Sequence, residues 1–115
     1  MKFKVDNYVV TNKGKLGKII LPGSIDHEQK IYKPVSVQLN TKVYQIWQEN
    51  LIPVEYVALE IMGDSSITIL KAHTAFNLIK VLLKNRIRIK IDIEETKECN
   101  IFWEKELPEY LNRMY

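Results

Sequence analysis

The residues best suited to chemistry in this sequence are lysines set among aromatic side chains. Lys13, Lys15 and Lys18 fall close together around Gly14. Lysines can neutralise phosphate groups and aromatic rings can stack on unpaired bases, so this combination is typical of surfaces that bind single-stranded or looped RNA. The residues predicted to contact nucleic acid are Lys13, Lys15, Lys18, Lys33, Lys42, Arg86, Arg88 and Lys90.

Charge is distributed unevenly along the chain. The formal net charge is +3. Up to Val54, eight lysines face four acidic residues, whereas beyond it nine basic residues face ten acidic ones. The basic excess therefore lies in the first half, where it favours contact with a polyanion or an acidic protein face. A solvated lysine-rich surface is the alternative explanation.

Arg86, Arg88 and Lys90 form a second basic group. Isoleucines alternate with charged residues over positions 86–94, which predicts a strand with one buried and one solvated face. Alternate side chains on a strand stand about 6.6–6.8 Å apart, a spacing comparable to that between successive phosphates. The same charges would also protect an exposed strand from edge-to-edge aggregation.

The sequence offers little material for catalysis. Its only histidines are His27 and His73, and its single cysteine, Cys99, is predicted to be a small buried hydrophobe. The lysine- and glycine-rich run at 13–18 lacks the Gly-Lys-Ser/Thr ending of a phosphate-binding loop. We therefore expect a non-enzyme with no catalytic residues, no metal site and no cofactor. A nuclease acting through His27 or His73 is an alternative from another class.

Short β-strands account for most of the first half. The predicted elements are strands at 7–12 and 15–21 joined at Gly14, a long mobile loop at 22–30, strands at 35–39 and 42–47, a helical turn at 48–50 and a strand at 51–54. Gly17, inside the second strand, indicates a bulge or a close approach of another backbone.

The first half also carries a pattern of glycine, aliphatic and closing residues. Its elements are Tyr8-Val9-Val10, Gly14-x-x-Gly17-x-Ile19, Val35-x-Val37-x-Leu39, Tyr44 and Glu49-Asn50-Leu51-Ile52-Pro53-Val54. This pattern resembles the small SH3-like β-barrels of the KOW and Tudor type. The resemblance covers residues 1–54 and implies a barrel there. It transfers no site residue, because one fold supports many unrelated functions.

The second half combines strands with helices. The predicted elements are strands at 56–62 and 66–71 around a turn at 63–65, a helix at 75–84 capped by Thr74 and Asn85, the strand at 86–94, a charged turn at 95–98, a strand at 100–103 and a terminal helix at 107–115. The fold class predicted for all 115 residues is α+β, in which the SH3-like barrel at 1–54 packs against a ββαβ(β) extension at 55–115 as one folding unit.

These features predict a cytoplasmic interaction module with no membrane segment. The leading hypothesis is binding of nucleic acid, RNA above all, or of a nucleoprotein through the basic face of the barrel. The alternative is a protein-binding subunit or small inhibitor, docking through aromatic residues or self-associating through a strand edge. The candidate protein-binding residues are Tyr44, Trp47, Trp103 and Tyr110. The richness in lysine, isoleucine and asparagine fits a bacterial, phage or mobile-element genome.

Overall fold

A computed structural model of the chain describes residues 3–63 and 66–101. It has the α+β composition predicted from the sequence. The chain divides into two compact units between Pro53 and Val54, one residue from the predicted boundary. Folding of the two as a single unit stays a prediction. Within the described ranges, no helix has the length and apolar character needed to cross a membrane.

The first unit is built on a five-stranded antiparallel sheet. Its strands are β1 (Tyr8–Thr11), β2 (Leu16–Leu21), β5 (Val35–Leu39), β6 (Lys42–Ile46) and β7 (Leu51–Val54), with a 3₁₀ turn at Gln48–Asn50 before β7. The strand order is β6-β5-β2-β1-β7. The edge strands are therefore β6 and β7, and the sheet is open as far as the described residues show.

The core of this unit comes from the β-branched and aliphatic residues that the alternation predicted. Its buried members are Val9, Ile19, Val35, Val37 and Leu51, with Phe3, Leu39 and Ile46 packed against them. Because side chains alternate across a strand, Val35, Val37 and Leu39 of β5 all point to this core. Burying these residues gives the sheet its main stabilisation.

Gly17 is closely packed, but side chains of β5 come nearer to it than the β5 backbone does. A Cβ added there would lie 2.6 Å from Leu39 Cδ2 and would also overlap Val37 Cγ1. Opposite Gly17 on the other side of β2 stands Val9 of β1. The bulge itself lies further along β2, where the register with β5 shifts between Ile19 and Leu21.

The segment predicted as a loop at 22–30 instead forms the first strand and the turn of a small hairpin, so that prediction was wrong. The hairpin pairs β3 (Ser24–Asp26) with β4 (Ile31–Lys33). The Asp26 carboxylate accepts the backbone N–H groups of Glu28 and Gln29 at 3.0 and 3.1 Å and fixes the turn. Strands of three residues are too short to show an alternating pattern, which is why the sequence did not reveal them.

The second unit confirms the predicted ββαβ order. Its elements are β8 (Tyr56–Ile61), β9 (Ile67–Lys71), α1 (Ala72–Lys84) and β10 (Ile89–Ile91), with the strands in the order β10-β8-β9. A further helix, α2, occupies 93–101. Buried residues of the sheet and of α1 include Val57, Leu59, Ala75 and Phe76.

Helix α1 begins earlier than predicted, because Lys71 rather than Thr74 is its N-cap. Its predicted C-cap, Asn85, is confirmed. Beyond the cap, the N–H of Arg86 donates to Leu83 O at 3.0 Å and the N–H of Ile87 to Leu82 O at 2.9 Å. This pair of bonds is a Schellman motif, which requires a left-handed residue after the cap. Arg86 takes that place with φ 59°.

The strand predicted at 86–94 is shortened to Ile89–Ile91, and α2 replaces the predicted turn at 95–98 and the start of the strand at 100–103. Asp92 explains the change. Its carboxylate accepts the N–H of Glu95 at 2.9 Å, which caps a new helix. The predicted strand end at 102–103, the terminal helix at 107–115 and the turn residues 64–65 lie outside the described residues.

Buried polar side chains on α2 bind the backbone of β8 past the end of β10. Thr96 Oγ1 accepts the N–H of Ala58 at 3.1 Å. One turn later, Asn100 Oδ1 accepts the N–H groups of Glu55 and Tyr56, at 2.8 and 3.0 Å, and Asn100 Nδ2 donates to Tyr56 O at 2.9 Å. The Asn100 amide thus makes the backbone hydrogen bonds that a strand beside β8 would otherwise make.

Candidate functional site

The turn between β1 and β2 holds two of the predicted lysines in a fixed backbone. Thr11 is buried, and its Oγ1 accepts the N–H groups of Lys13 and Lys15 at 3.3 and 3.1 Å. The Thr11 N–H donates to Lys15 O at 2.8 Å. Gly14 adopts φ 77°, which a glycine tolerates without strain. The lysine side chains are exposed, whereas their backbone is held by these hydrogen bonds.

The turn between β5 and β6 places a third lysine at the same end of the sheet. Leu39 pairs with Lys42 across this two-residue turn, and Asn40 takes φ 59°. Since β2 is antiparallel to both β1 and β5, the start of β2 lies beside the end of β5. Lys13, Lys15 and Lys42 therefore share one end of the sheet, called here the basic end.

The structure does not bring the other first-half lysines to the basic end. Lys18 lies within β2, and its Nζ is 3.5 Å from the carboxylate of Asp6. Lys33 belongs to β4, whose hairpin follows the opposite end of β2. These two residues are thus separate from the cluster that the sequence predicted as one face.

Arg86, Arg88 and Lys90 do not form the predicted three-residue ladder. Only Lys90 lies in a strand, where it stands opposite Glu60. Arg86 is in the left-handed position that ends α1. All three are exposed and belong to the second unit. The end of α1 requires a left-handed residue at position 86, so the chain cannot be an extended strand there.

Tyr44 and Trp47 are half-exposed, at 46% and 47%. Tyr44 projects from the same face of β6 as Lys42, because the two are two residues apart on one strand. Trp47 O accepts the N–H of Asn50 at 2.9 Å, and Asn50 O accepts the N–H of Asn12 at 3.0 Å. Trp47 follows Ile46, which pairs with Val35 at the opposite end of β5 and β6 from Lys42. Its link to the basic end is this pair of hydrogen bonds through Asn50. Trp103 and Tyr110 lie outside the described residues.

Known proteins offer no further guide to this site. No model of a known protein family, no curated protein and no solved structure matches the chain.

The candidates for catalysis lie on different elements. His27 is on the β3–β4 hairpin with its ring centroid 5.9 Å from that of Tyr32, edge to face. His73 is on α1, and its Nε2 is 3.4 Å from the amide nitrogen of Asn77. In the described ranges, no group of three or more His, Cys, Asp or Glu is placed to hold a metal ion.

Cys99 is buried, as predicted. Its Sγ donates to Thr96 O at 3.3 Å. Burial raises the pKa of the Cys99 thiol, because the thiolate would lose its hydration in this environment. A neutral, enclosed thiol is a poor nucleophile, so Cys99 is a packing residue.

Proposed function

We propose that this protein is a non-catalytic module that binds nucleic acid, RNA above all, or a nucleoprotein through the basic end of its first unit. One observation carries the proposal. Lys13, Lys15 and Lys42 converge at one end of the sheet with exposed side chains, and none of the three has an ion-pair partner among the described residues. A lysine without a carboxylate partner can contact a phosphate group without first breaking an ion pair.

The finer fold assignment, an SH3-like barrel, belongs to the same proposal. Two features support it. Strand β7 returns to pair beside β1, and the remaining strands follow as a meander in the order β1, β2, β5, β6. A 3₁₀ turn precedes β7, as the sequence pattern predicted. In such a barrel the loops gathered at one end are available for a ligand.

Binding of single- and double-stranded RNA and DNA, measured by fluorescence anisotropy at about 50 and 200 mM salt, tests the proposal. The informative variant changes Lys13, Lys15 and Lys42 together to Gln. Its matched control changes Lys71, Lys84 and Lys97 to Gln, which alters the net charge equally but lies in the second unit.

We expect the basic-end variant to bind more weakly and to lower the slope of log K against log salt by about 2 on a single strand. The control should keep both the affinity and the slope near those of the unmodified protein. Equal losses in both variants would mean that net charge alone attracts the ligand. Absence of binding at about 50 mM salt would overturn the proposal.

A second candidate function is protein binding, favoured by edge strand β6. Val43 and Tyr44 are 54% and 46% exposed on it, and in the described chain β6 has a neighbour on one side alone. Edge strands with apolar side chains can add a strand from a partner or a second copy. Sedimentation of Val43→Lys against Val81→Lys, an equally exposed position on α1, tests self-association. Only the β6 variant should abolish it.

We propose the cytoplasm as the place where this binding occurs. The single cysteine is free and buried. A chain of this size that relies on a hydrophobic core rather than on disulfides is typical of reducing compartments.

A further inference from the structure

We infer that the basic end takes unpaired, single-stranded nucleic acid, and that Tyr44 and Trp47 stack on its bases. This inference rests on the proposed function and specifies its ligand. The sequence placed the two rings both among the lysines, where aromatic residues can stack on bases, and among the candidate protein contacts; the inference assigns them to bases.

Tyr44 supplies the first contact. Lys42 begins β6 at the basic end, and Tyr44 follows two residues later on the same face. The spacing on a strand places their Cα atoms about 6.6–6.8 Å apart, close to the length of one nucleotide step. With 46% of its surface exposed, the Tyr44 ring can receive a base while Lys42 meets the adjoining phosphate.

Trp47 supplies the second contact, from the start of the 3₁₀ turn that precedes β7. The turn closed by the bond from Asn50 N–H to Trp47 O keeps their Cα atoms within about 7 Å. The bond from Asn12 N–H to Asn50 O adds a separation of about 5.5 Å. Trp47 is therefore within about 12 Å of the residue preceding Lys13, a distance that a lysine side chain and an indole ring can span together.

The arrangement favours an unpaired strand over a duplex. Bases in a duplex stack on each other and present only their edges, whereas a single strand can turn its base faces towards aromatic side chains. Half-exposed rings beside lysines give a duplex no additional contact. They add a stacking energy for each unpaired base, with little dependence on its identity.

Three probes of equal length, about 15 nucleotides, distinguish these ligands. They are oligo-dT, a duplex of mixed sequence, and an abasic strand with the same number of phosphates. Binding is followed by anisotropy at about 50 mM salt and by the fluorescence of Trp47. Trp103→Phe removes the only other tryptophan, so quenching then reports on Trp47 alone.

The variants are Tyr44→Leu and Trp47→Leu, each with a Phe variant that keeps a ring. The matched control is Tyr32→Leu, because Tyr32 is 52% exposed but lies on the hairpin away from the basic end. We expect each Leu variant to bind oligo-dT roughly 5- to 150-fold more weakly. The Phe variants should keep most of the affinity and the control all of it.

Failure of the inference is distinguishable from failure of the proposed function. Equal binding of oligo-dT, duplex and abasic strand, still dependent on the basic-end lysines, would overturn stacking and leave nucleic-acid binding intact. Unaltered Trp47 fluorescence, or Leu variants as tight as Tyr32→Leu, would overturn it equally. If no probe binds, the proposed function and the inference both fall.

Discussion

Thr11 shows how one buried residue determines the placement of two exposed ones. Its hydroxyl satisfies the backbone N–H groups of Lys13 and Lys15, so the turn does not depend on the lysine side chains. Those side chains remain available to a ligand at little cost in stability. The same separation explains why changing the lysines to Gln should alter binding rather than folding.

Gly17 provides a test of packing at this scale. We expect Gly17→Ala to lower the free energy of unfolding by about 1–3 kcal/mol, because the added methyl would overlap Val37 and crowd Leu39. Urea denaturation measures this. Gly63→Ala is an informative comparison, since nothing lies within 4 Å of a Cβ there and its cost comes from φ 103° alone. A Gly17→Ala variant as stable as the unmodified protein would contradict the close packing.

Replacing Arg86 with glycine should stabilise the folded protein. A non-glycine residue in the left-handed region costs about 1–2 kcal/mol, of which the greater freedom of glycine in the unfolded chain offsets about 0.4–1. We therefore expect Arg86→Gly to raise the free energy of unfolding by about 1 kcal/mol or less. Arg88→Gly, without a positive φ, should lower it. Equal effects in thermal denaturation would show that φ at Arg86 is unimportant.

At the scale of elements, helix α2 completes the sheet of the second unit with side chains. Strand β10 ends at Ile91, and from there Thr96 and Asn100 take over the hydrogen bonds of β8. The two residues lie one helical turn apart and so face the same strand. Helix α2 is thus fixed by polar contacts as well as by apolar burial.

Asn100 tests this role. We expect Asn100→Ala to lower the free energy of unfolding by about 2–4 kcal/mol, because the substitution removes the acceptor of two backbone N–H groups, those of Glu55 and Tyr56 where β8 begins. Asn77→Ala, on the exposed face of α1, should change it by about 0.5 kcal/mol or less. Chemical denaturation of both variants decides the question. Similar values would show that α2 does not support β8.

At the scale of the whole molecule, the Cys99 thiol makes the free energy of unfolding depend on pH. Burial raises the pKa of the Cys99 thiol in the folded state, so the folded protein holds this proton more tightly than the unfolded chain does. The stability that this raised pKa contributes to the folded protein is fully present below the ordinary thiol pKa, about 8.5. It is lost as pH rises through the folded-state pKa.

We therefore expect the unmodified protein to lose stability between neutral and alkaline pH more steeply than Cys99→Ala does. Both proteins share the titration of tyrosines and lysines, so the difference between their urea curves isolates the thiol. Parallel curves would mean that the thiolate is solvated in the folded state. Thiol-reactive dyes give a second measurement, since labelling of the native protein should be slow.

Much of the first unit could be predicted from the sequence because its strands are regular. Val35 and Val37 alternate with Ser36 and Gln38 in β5, and Gly17 in β2 marks the place where side chains of β5 pack closely. Local pattern and tertiary packing agree at these positions. Lys13 and Lys15 are exposed because they lie in a turn, and Lys42 is exposed at the start of an edge strand.

The second unit shows where the local pattern is insufficient. The alternation of isoleucines predicted a strand through Glu94, yet the carboxylate of Asp92 caps a helix in the same segment. Arg86 looked like part of a ladder but serves to end α1. Short-range spacing cannot show which of two local preferences the surrounding sheet will favour.

The sequence by itself determined the α+β class and the main strands of the first unit. Each depends on residue type and periodicity. Tertiary structure alone decided which lysines lie together. Lys18 is nearer than Lys42 in sequence to Lys13, but β-pairing places the two turns side by side while Asp6 binds Lys18. Proximity in a sheet is set by strand register and turn position, which sequence distance does not encode.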